Sequence, residues 1–311
     1  MTTYILRRLL GLVPVLIAAV LLTLVATQFV PGDPITVMLG DQGGNLLLER
    51  KLRAEYGLDR PKLVQLADYV GKLAHGDFGL SFRYPGVPVT QVISDGLWIS
   101  PLIAAAALLI AVPLGIFLGV VAALRRNSWA DTGIILVLVA GLSIPNFALA
   151  AFFVWIFALK LGWVPVAGWT SWHHAILPVV LLAIPAAAYL ARLARTFMLE
   201  VLHQDYMRTA RAKGLSERLV IWRHGLRNVL VPILTVCGVI FGGLITGTIV
   251  IETIFNIPGR GRIAIQSIFA RDYPVTMAVV MLFTFFYAGI NFVVDVLYGL
   301  VDPRIRIEAR A

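Results

Sequence analysis

The sequence predicts an all-α polytopic membrane protein with six transmembrane helices and a small extracytoplasmic cap after the first. Three observations carry that reading. Of 311 residues, 59% are apolar and 14% charged, with a mean hydropathy of +0.87, whereas soluble domains average roughly 45–50% and about 25%. The chain also holds six stretches without Asp, Glu, Lys or Arg, each long enough for the ~20 residues that a helix needs to cross hydrocarbon. Finally, Lys and Arg cluster between those stretches, so the net charge of +9 reads as membrane topology rather than nucleic-acid binding.

The charge-free stretches are Leu9–Gly32, Gly96–Leu124, Thr132–Leu159, Leu161–Ala191, Asn228–Ile251 and Tyr273–Val294. Only a helix satisfies every backbone group in lipid, so helices are predicted at 9–30, 98–124, 132–159, 175–198, 229–251 and 273–301. The fourth starts late because Trp163, Trp169 and Trp172 make a polar, aromatic lead-in. Arg7 and Arg8 before the first run resemble a signal peptide, but its apolar part is too long for one and five more spans follow. It is read as an uncleaved helix. With the N-terminus inside, 15 of the 26 Lys and Arg residues lie on the cytoplasmic side, and 7 of the 11 outside lie in segment 31–97. Loops beyond about 60 residues barely influence orientation, which places both termini in the cytoplasm. Segment 31–97 carries Leu52, Tyr56, Leu63, Leu66, Tyr69, Val70 and Leu73 near helical spacing, interrupted by Pro34, Pro61, Pro85 and Pro88, and is read as a folded cap.

Segment 199–228 is the one sizeable cytoplasmic loop. Gly214 suits a left-handed position after a helix, and Ser216 the N-cap of the next, with Glu217 at its positive dipole end. Leu219, Trp222 and Leu226 then form an apolar stripe beside Arg218, Arg223 and Arg227. Such an elbow fits either a docking handle for a partner or a basic anchor on anionic lipid.

The run Asp205-Tyr206-Met207-Arg208-Thr209-Ala210-Arg211-Ala212-Lys213-Gly214-Leu215-Ser216, with Arg223-His224-Gly225-Leu226-Arg227-Asn228 and Pro232, resembles the coupling loop of ABC importer permeases. The branch it is most like carries dipeptides, oligopeptides, glutathione or nickel. The strings Pro31–Pro34, Gly76–Ser81, Ser143–Phe147, Phe255–Gly259, Arg271–Pro274 and Asp302–Arg306 agree along the whole chain. The resemblance implies a type I importer permease fold, with ATPase coupling through residues 205–216 and alternating access. It further implies a second homologous permease, two ATP-binding subunits that bind ATP and Mg, and an extracytoplasmic solute-binding protein. The cargo it implies is short peptides, with glutathione or a nickel chelate as alternatives. Where the wider family has Glu-Ala-Ala at the start of the loop, this chain has Arg208-Thr209-Ala210, so Arg208, Arg211 or Lys213 meeting acidic groups on the ATPase takes the place of a Glu-mediated bridge.

No ATP-binding motif is present: the single Gly-Lys, Gly71-Lys72, is followed by Leu73, whereas a P-loop needs Gly-Lys-Ser/Thr. The chain is therefore expected to be neither an enzyme nor a cofactor protein. Cys237 stands alone, which excludes a disulfide or a cysteine metal cluster within the chain, and adjacent His173 and His174 read as interface anchors. Candidate pathway residues are Ser143, Asn146, Thr235, Thr246, Thr248, Thr284 and Asn291, each polar at membrane depth, although hydroxyls there also bond their own helix. Segment 252–272, with Phe255, Pro258 and Gly259, is an external gate, a receiver for the binding protein or a packed connecting helix. Gly115 and Gly119, and Gly238, Gly242, Gly243 and Gly247, are small-residue patterns for helix packing within the subunit or between subunits. A channel or proton-coupled carrier is the rival of a different class, although no span carries a central charge.

Overall fold

The computed structural model describes residues 2–29, 33–39, 46–94 and 96–301. Pro31, Gly32 and the Asp302–Arg306 string lie outside them. Among the described residues the secondary structure is helical, apart from one antiparallel bridge between Leu80 and Pro88. The helices are α1 (Thr2–Phe29), α2 (Pro34–Leu39), α3 (Leu46–Glu55), α4 (Lys62–Ala74), α5 (Val89–Ser94), α6 (Ile99–Leu124) and α7 (Trp129–Ser143). They continue with α8 (Asn146–Phe153), α9 (His173–Leu202), α10 (Asp205–Ala212), α11 (Glu217–Leu219), α12 (Leu226–Ile254), α13 (Arg260–Phe269) and α14 (Tyr273–Val301). Among the described residues four are long and apolar enough to cross a membrane, ending with α6, α9, α12 and α14, and α7 with α8 makes a fifth if that pair is one span. Within α1 the stretch Val13–Thr23 is a shorter apolar helix.

The third predicted span, 132–159, is not one straight helix. It breaks between Ser143 and Asn146 with a bend of 101°. Pro145 has no N–H to donate, and its ring drives Ile144 out of the helical region to φ −86°, ψ 122°. After Phe153 the second arm widens into a π-helix, Val154–Lys160. Segment 252–272 contains α13.

The chain divides into two compact units, Met1–Arg8 with Pro101–Ile257 and Tyr287–Ala311, and Leu9–Ser100 with Pro258–Phe286. In the first, α9 is the central element, with Leu181, Leu190, Ala191, Ala194 and Met198 fully buried. It meets the glycines of α6 closely: a Cβ on Gly115 would stand 2.7 Å from Leu190 Cβ, and one on Gly119 2.6 Å from Ala194 Cβ. On α12, Gly238 abuts Asn291 and Gly242 abuts Tyr287, while Gly247 faces Leu182 of α9 and Gly243 faces open space. Apart from Gly243, then, these glycines pack helices of the same chain.

The second unit folds the predicted cap around 258–286. Val89 and Ile93 of α5 form a core with Ala264 of α13 and Val275, Ala278 and Val279 of α14. Asp272 is buried as well. It accepts hydrogen bonds from the Ser81 hydroxyl, from the backbone N–H of Phe82 (3.0 Å) and from that of Arg83 (3.2 Å). Two strings nearly two hundred residues apart, Gly76–Ser81 and Arg271–Pro274, thus close on one carboxylate. Tyr56, Phe82 and Tyr273 stack edge-on beside it, with centroids 5.3 and 6.1 Å apart. Arg260, also buried, donates its N–H to Ser100 Oγ (2.8 Å) and Nη1 to the Val92 carbonyl (3.1 Å).

Candidate functional site

The elbow between α9 and α12 is built from local chain chemistry. α9 ends at Leu202, and the Gln204 carbonyl starts α10 by accepting the N–H of Met207 (3.0 Å). Asp205 then sits in the first turn, at the positive end of the helix. α10 stops where Gly214 takes φ +75°. No atom lies within 4 Å of a Cβ placed there, so the requirement is for glycine's left-handed backbone and not for space. Ser216 is at the N-cap position of α11 without a side-chain cap bond; its carbonyl accepts the N–H of Leu219 (2.9 Å) and Val220 (3.0 Å). The second helix departs from the predicted α-pattern. After three residues it becomes a π-helix, Val220–Gly225, running into α12.

The elbow has its own core. Met207, Ala210 and Val220 are buried together, with Val201, Leu202 and Leu215 around them. Gly225 lets the chain close on it: a Cβ there would meet Met198 Cε at 3.0 Å and Met207 Cε at 3.4 Å. Across the bend, Arg211 forks onto Glu217, Nε to Oε2 at 3.1 Å and Nη2 to Oε1 at 2.9 Å. That fork holds the Glu217 carboxyl below the usual carboxylate range and raises Arg211. A carboxyl with a depressed folded pKa adds stability that is present above its unfolded pKa, about 4.3, and is lost as pH falls through the folded value. Because both side chains are more than a third exposed, screening keeps the contribution below about 1 kcal/mol. Glu217→Gln is therefore expected to speed tryptic cleavage of the elbow modestly at pH 7, and hydrogen exchange should show the difference from Glu217 shrinking once the pH falls below about 4.3 and gone only below the depressed folded value.

Of residues 205–216, the core takes Met207 and Ala210, while Tyr206, Arg208, Thr209, Ala212 and Lys213 remain on the surface. Arg211 is committed to Glu217, and Arg208 Nη1 lies 3.7 Å from Asp205 Oδ1. Ser216, Arg218, Leu219 and Trp222 line an open concavity of about 460 Å³. Trp222 is 53% exposed and Leu219 39%, so the apolar stripe faces outward rather than into the elbow's core.

Several candidate pathway residues have partners on their own helices. Thr246, Thr248 and Thr284 bond their own helices, at Gly242 O (3.2 Å), Ile245 O (2.7 Å) and Val280 O (2.8 Å). Asn291 donates to Tyr287 O (2.8 Å) and packs on Gly238, so it is a helix contact within the chain. Ser143 and Thr235 are exposed, and Asn146 is half-buried at the start of α8. Phe255 is buried, and its carbonyl accepts the Gly168 N–H (2.8 Å). Pro258 is exposed and Gly259 caps α13.

Sequence reading missed a partly buried ion pair. Arg195 of α9 holds Asp131 of α7 with both ends of its fork, Nε to Oδ1 at 2.8 Å and Nη2 to Oδ2 at 2.7 Å. Asp131 is 3% exposed, and it also accepts the Asn127 N–H (3.0 Å). The available signal was Ser128, whose hydroxyl accepts the Asp131 N–H (3.3 Å) in an N-cap spacing.

Long apolar helices joined by a self-packed basic elbow define a multi-pass membrane transport subunit of the permease class. The family described as "Binding-protein-dependent transport system inner membrane component" matches residues 115–307, and the chain belongs to that family. It is 43% identical over 316 residues to a Brucella abortus (strain 2308) permease protein named for a peptide transport system, with 99% of this chain and all of that one covered. It is 40% identical over 308 residues to the glutathione transport system permease protein GsiC of Escherichia coli K12, with the same coverage. Among solved structures, an inward-facing MetNI methionine ABC transporter shares the fold, with a TM-score of 0.59 at 17% identity over 69% of this chain and 98% of that one. The fold is that of a type I importer permease.

Proposed function

We propose that the chain is the permease subunit of an ATP-driven importer and forms half of a pathway for short peptides by alternating access. The observation that carries this is the elbow: a handle with its own core, continuous with α9 on one side and α12 on the other, that presents Arg218, Leu219 and Trp222 outward. The relatives named for peptide and glutathione transport support a small peptidic cargo, glutathione being itself a tripeptide. In this reading both termini and the elbow are cytoplasmic. Two ATP-binding subunits hold ATP and Mg and grip residues 205–222, a second homologous permease completes the pathway, and a solute-binding protein delivers cargo to the outer side. With Arg211 held by Glu217, the cations offered to acidic groups on the ATPase are Arg208, Lys213 and Arg218.

The test is uptake of a labelled dipeptide by vesicles holding the assembled transporter. Paired Arg218→Glu and Trp222→Ala changes lie on the surface, so the subunit should fold. Interface Trp and Arg residues often contribute about 2 kcal/mol or more each, so ATPase co-purification and ATP-dependent uptake should both fall at least tenfold. Uptake driven by a proton gradient without ATP, or an elbow reached by reagents only from the outer face, would overturn the reading.

A further inference from the structure

We infer that Asp131 and Arg195 are positioning residues that lock α7 to α9, so that movement of the elbow is delivered to the broken α7–α8 element. The inference rests on the importer reading above.

Arg195 and Met198 sit three residues apart on α9, which places them on neighbouring positions of one helical surface. Met198 is fully buried, and its Cε would lie 3.0 Å from a Cβ on Gly225 of the elbow. Arg195 grips Asp131 one turn earlier. A single stretch of α9 therefore touches the elbow with one side chain and α7 with the other. From Arg195 to the end of α9 at Leu202 the rise is only about 10 Å, at 1.5 Å per residue.

The carboxylate end is equally fixed. Asp131 accepts the Asn127 N–H, and the Ser128 hydroxyl, which accepts the Asp131 N–H, donates to the Arg125 carbonyl (2.6 Å). The turn before α7 and the first turn of α7 thus move as one piece with Arg195. At the other end of α7 lies the Ile144–Pro145 break, where Pro145 leaves the ladder without a donor and lets α8 swing off by 101°. A lever gripped at one end and hinged at the other converts a push on the elbow into displacement of α8. An apolar pair of the same size would let α7 slide along α9, whereas a two-point Arg–carboxylate fork fixes register and angle. Lys at 195 would keep the charge and lose the fork.

The experiment uses the assembled transporter in vesicles with its solute-binding protein. It compares wild type, Arg195→Lys and Asp131→Asn in three readouts: amount of assembled complex, ATP hydrolysis without binding protein, and dipeptide imported per ATP hydrolysed with it. Arg195→Lys is expected to assemble and hydrolyse ATP like wild type while import per ATP falls about tenfold, within the usual range of coupling energies. Asp131→Asn should behave alike, and the double variant should lose no more than either single one. Import per ATP unchanged in an assembled Arg195→Lys complex would overturn the proposal. So would loss of assembly and hydrolysis in parallel with import in both variants, because that marks the pair as structural only. Failure of the wild type itself to import with ATP would instead sink the importer reading beneath it.

Discussion

Replacing Gly119 with Leu is expected to abolish accumulation of folded subunit in the membrane, while Gly243→Ala leaves it unchanged. The two glycines belong to the same kind of small-residue pattern, yet their surroundings differ. At Gly119 even one added carbon would press on the Ala191 carbonyl oxygen, stand 2.6 Å from Ala194 Cβ and 2.9 Å from the Arg195 nitrogen. Two of those three atoms are backbone, so no rotamer change relieves the clash, and α6 must move away from α9. Overpacking a core by a methyl or two already costs about 1–3 kcal/mol. A Leu adds more volume at the contact that buries the central helix, and any shift there also disturbs Arg195 and its grip on Asp131. Gly119→Ala should fold partially. Gly243 has nothing within 4 Å, so Ala there meets no obstacle and gains up to about 1 kcal/mol of helix propensity. Quantitative immunoblotting of membranes, with fluorescence-detected size exclusion, reads both outcomes. Normal assembly of Gly119→Leu would show that α6 and α9 do not pack as described.

What the sequence made legible was local. Gly214 and Ser216 punctuate the elbow through backbone preferences that act over a few residues, and the structure puts a positive φ at the first and an N-cap at the second. The proline at 145 was visible, but whether a membrane proline merely kinks a span or breaks it depends on what the freed carbonyls meet, which no window of sequence contains. The π-helix at 220–225 was hidden for a similar reason. Its residues fit an α-period, and only packing of Gly225 on Met198 and Met207 explains where the chain closes. The pairings Asp131–Arg195 and Ser81–Asp272 are 64 and 191 residues apart. Each partner looked like a topology marker or a loop residue until the fold supplied the other.

Asp272→Ala is expected to be the most damaging single change in the second unit. The carboxylate collects the Ser81 hydroxyl and the N–H groups of Phe82 and Arg83, with the Val275 N–H at 3.4 Å. Alanine leaves these donors facing a buried void, and each unsatisfied one costs about 1–3 kcal/mol. A total of roughly 4 kcal/mol should lower the apparent unfolding temperature of the purified protein by about 10 °C. Ser81→Ala removes one of those donors and the acceptor for the Tyr84 N–H (3.0 Å), so its shift should be less than half as large. The damage should also be local. Arg83 is exposed on the turn that Asp272 holds, and tryptic cleavage there should accelerate in the Asp272 variant before cleavage at the elbow does. Equal unfolding temperatures for the two variants would mean that the hydroxyl alone fixes the turn and that the backbone donors are satisfied without the carboxylate.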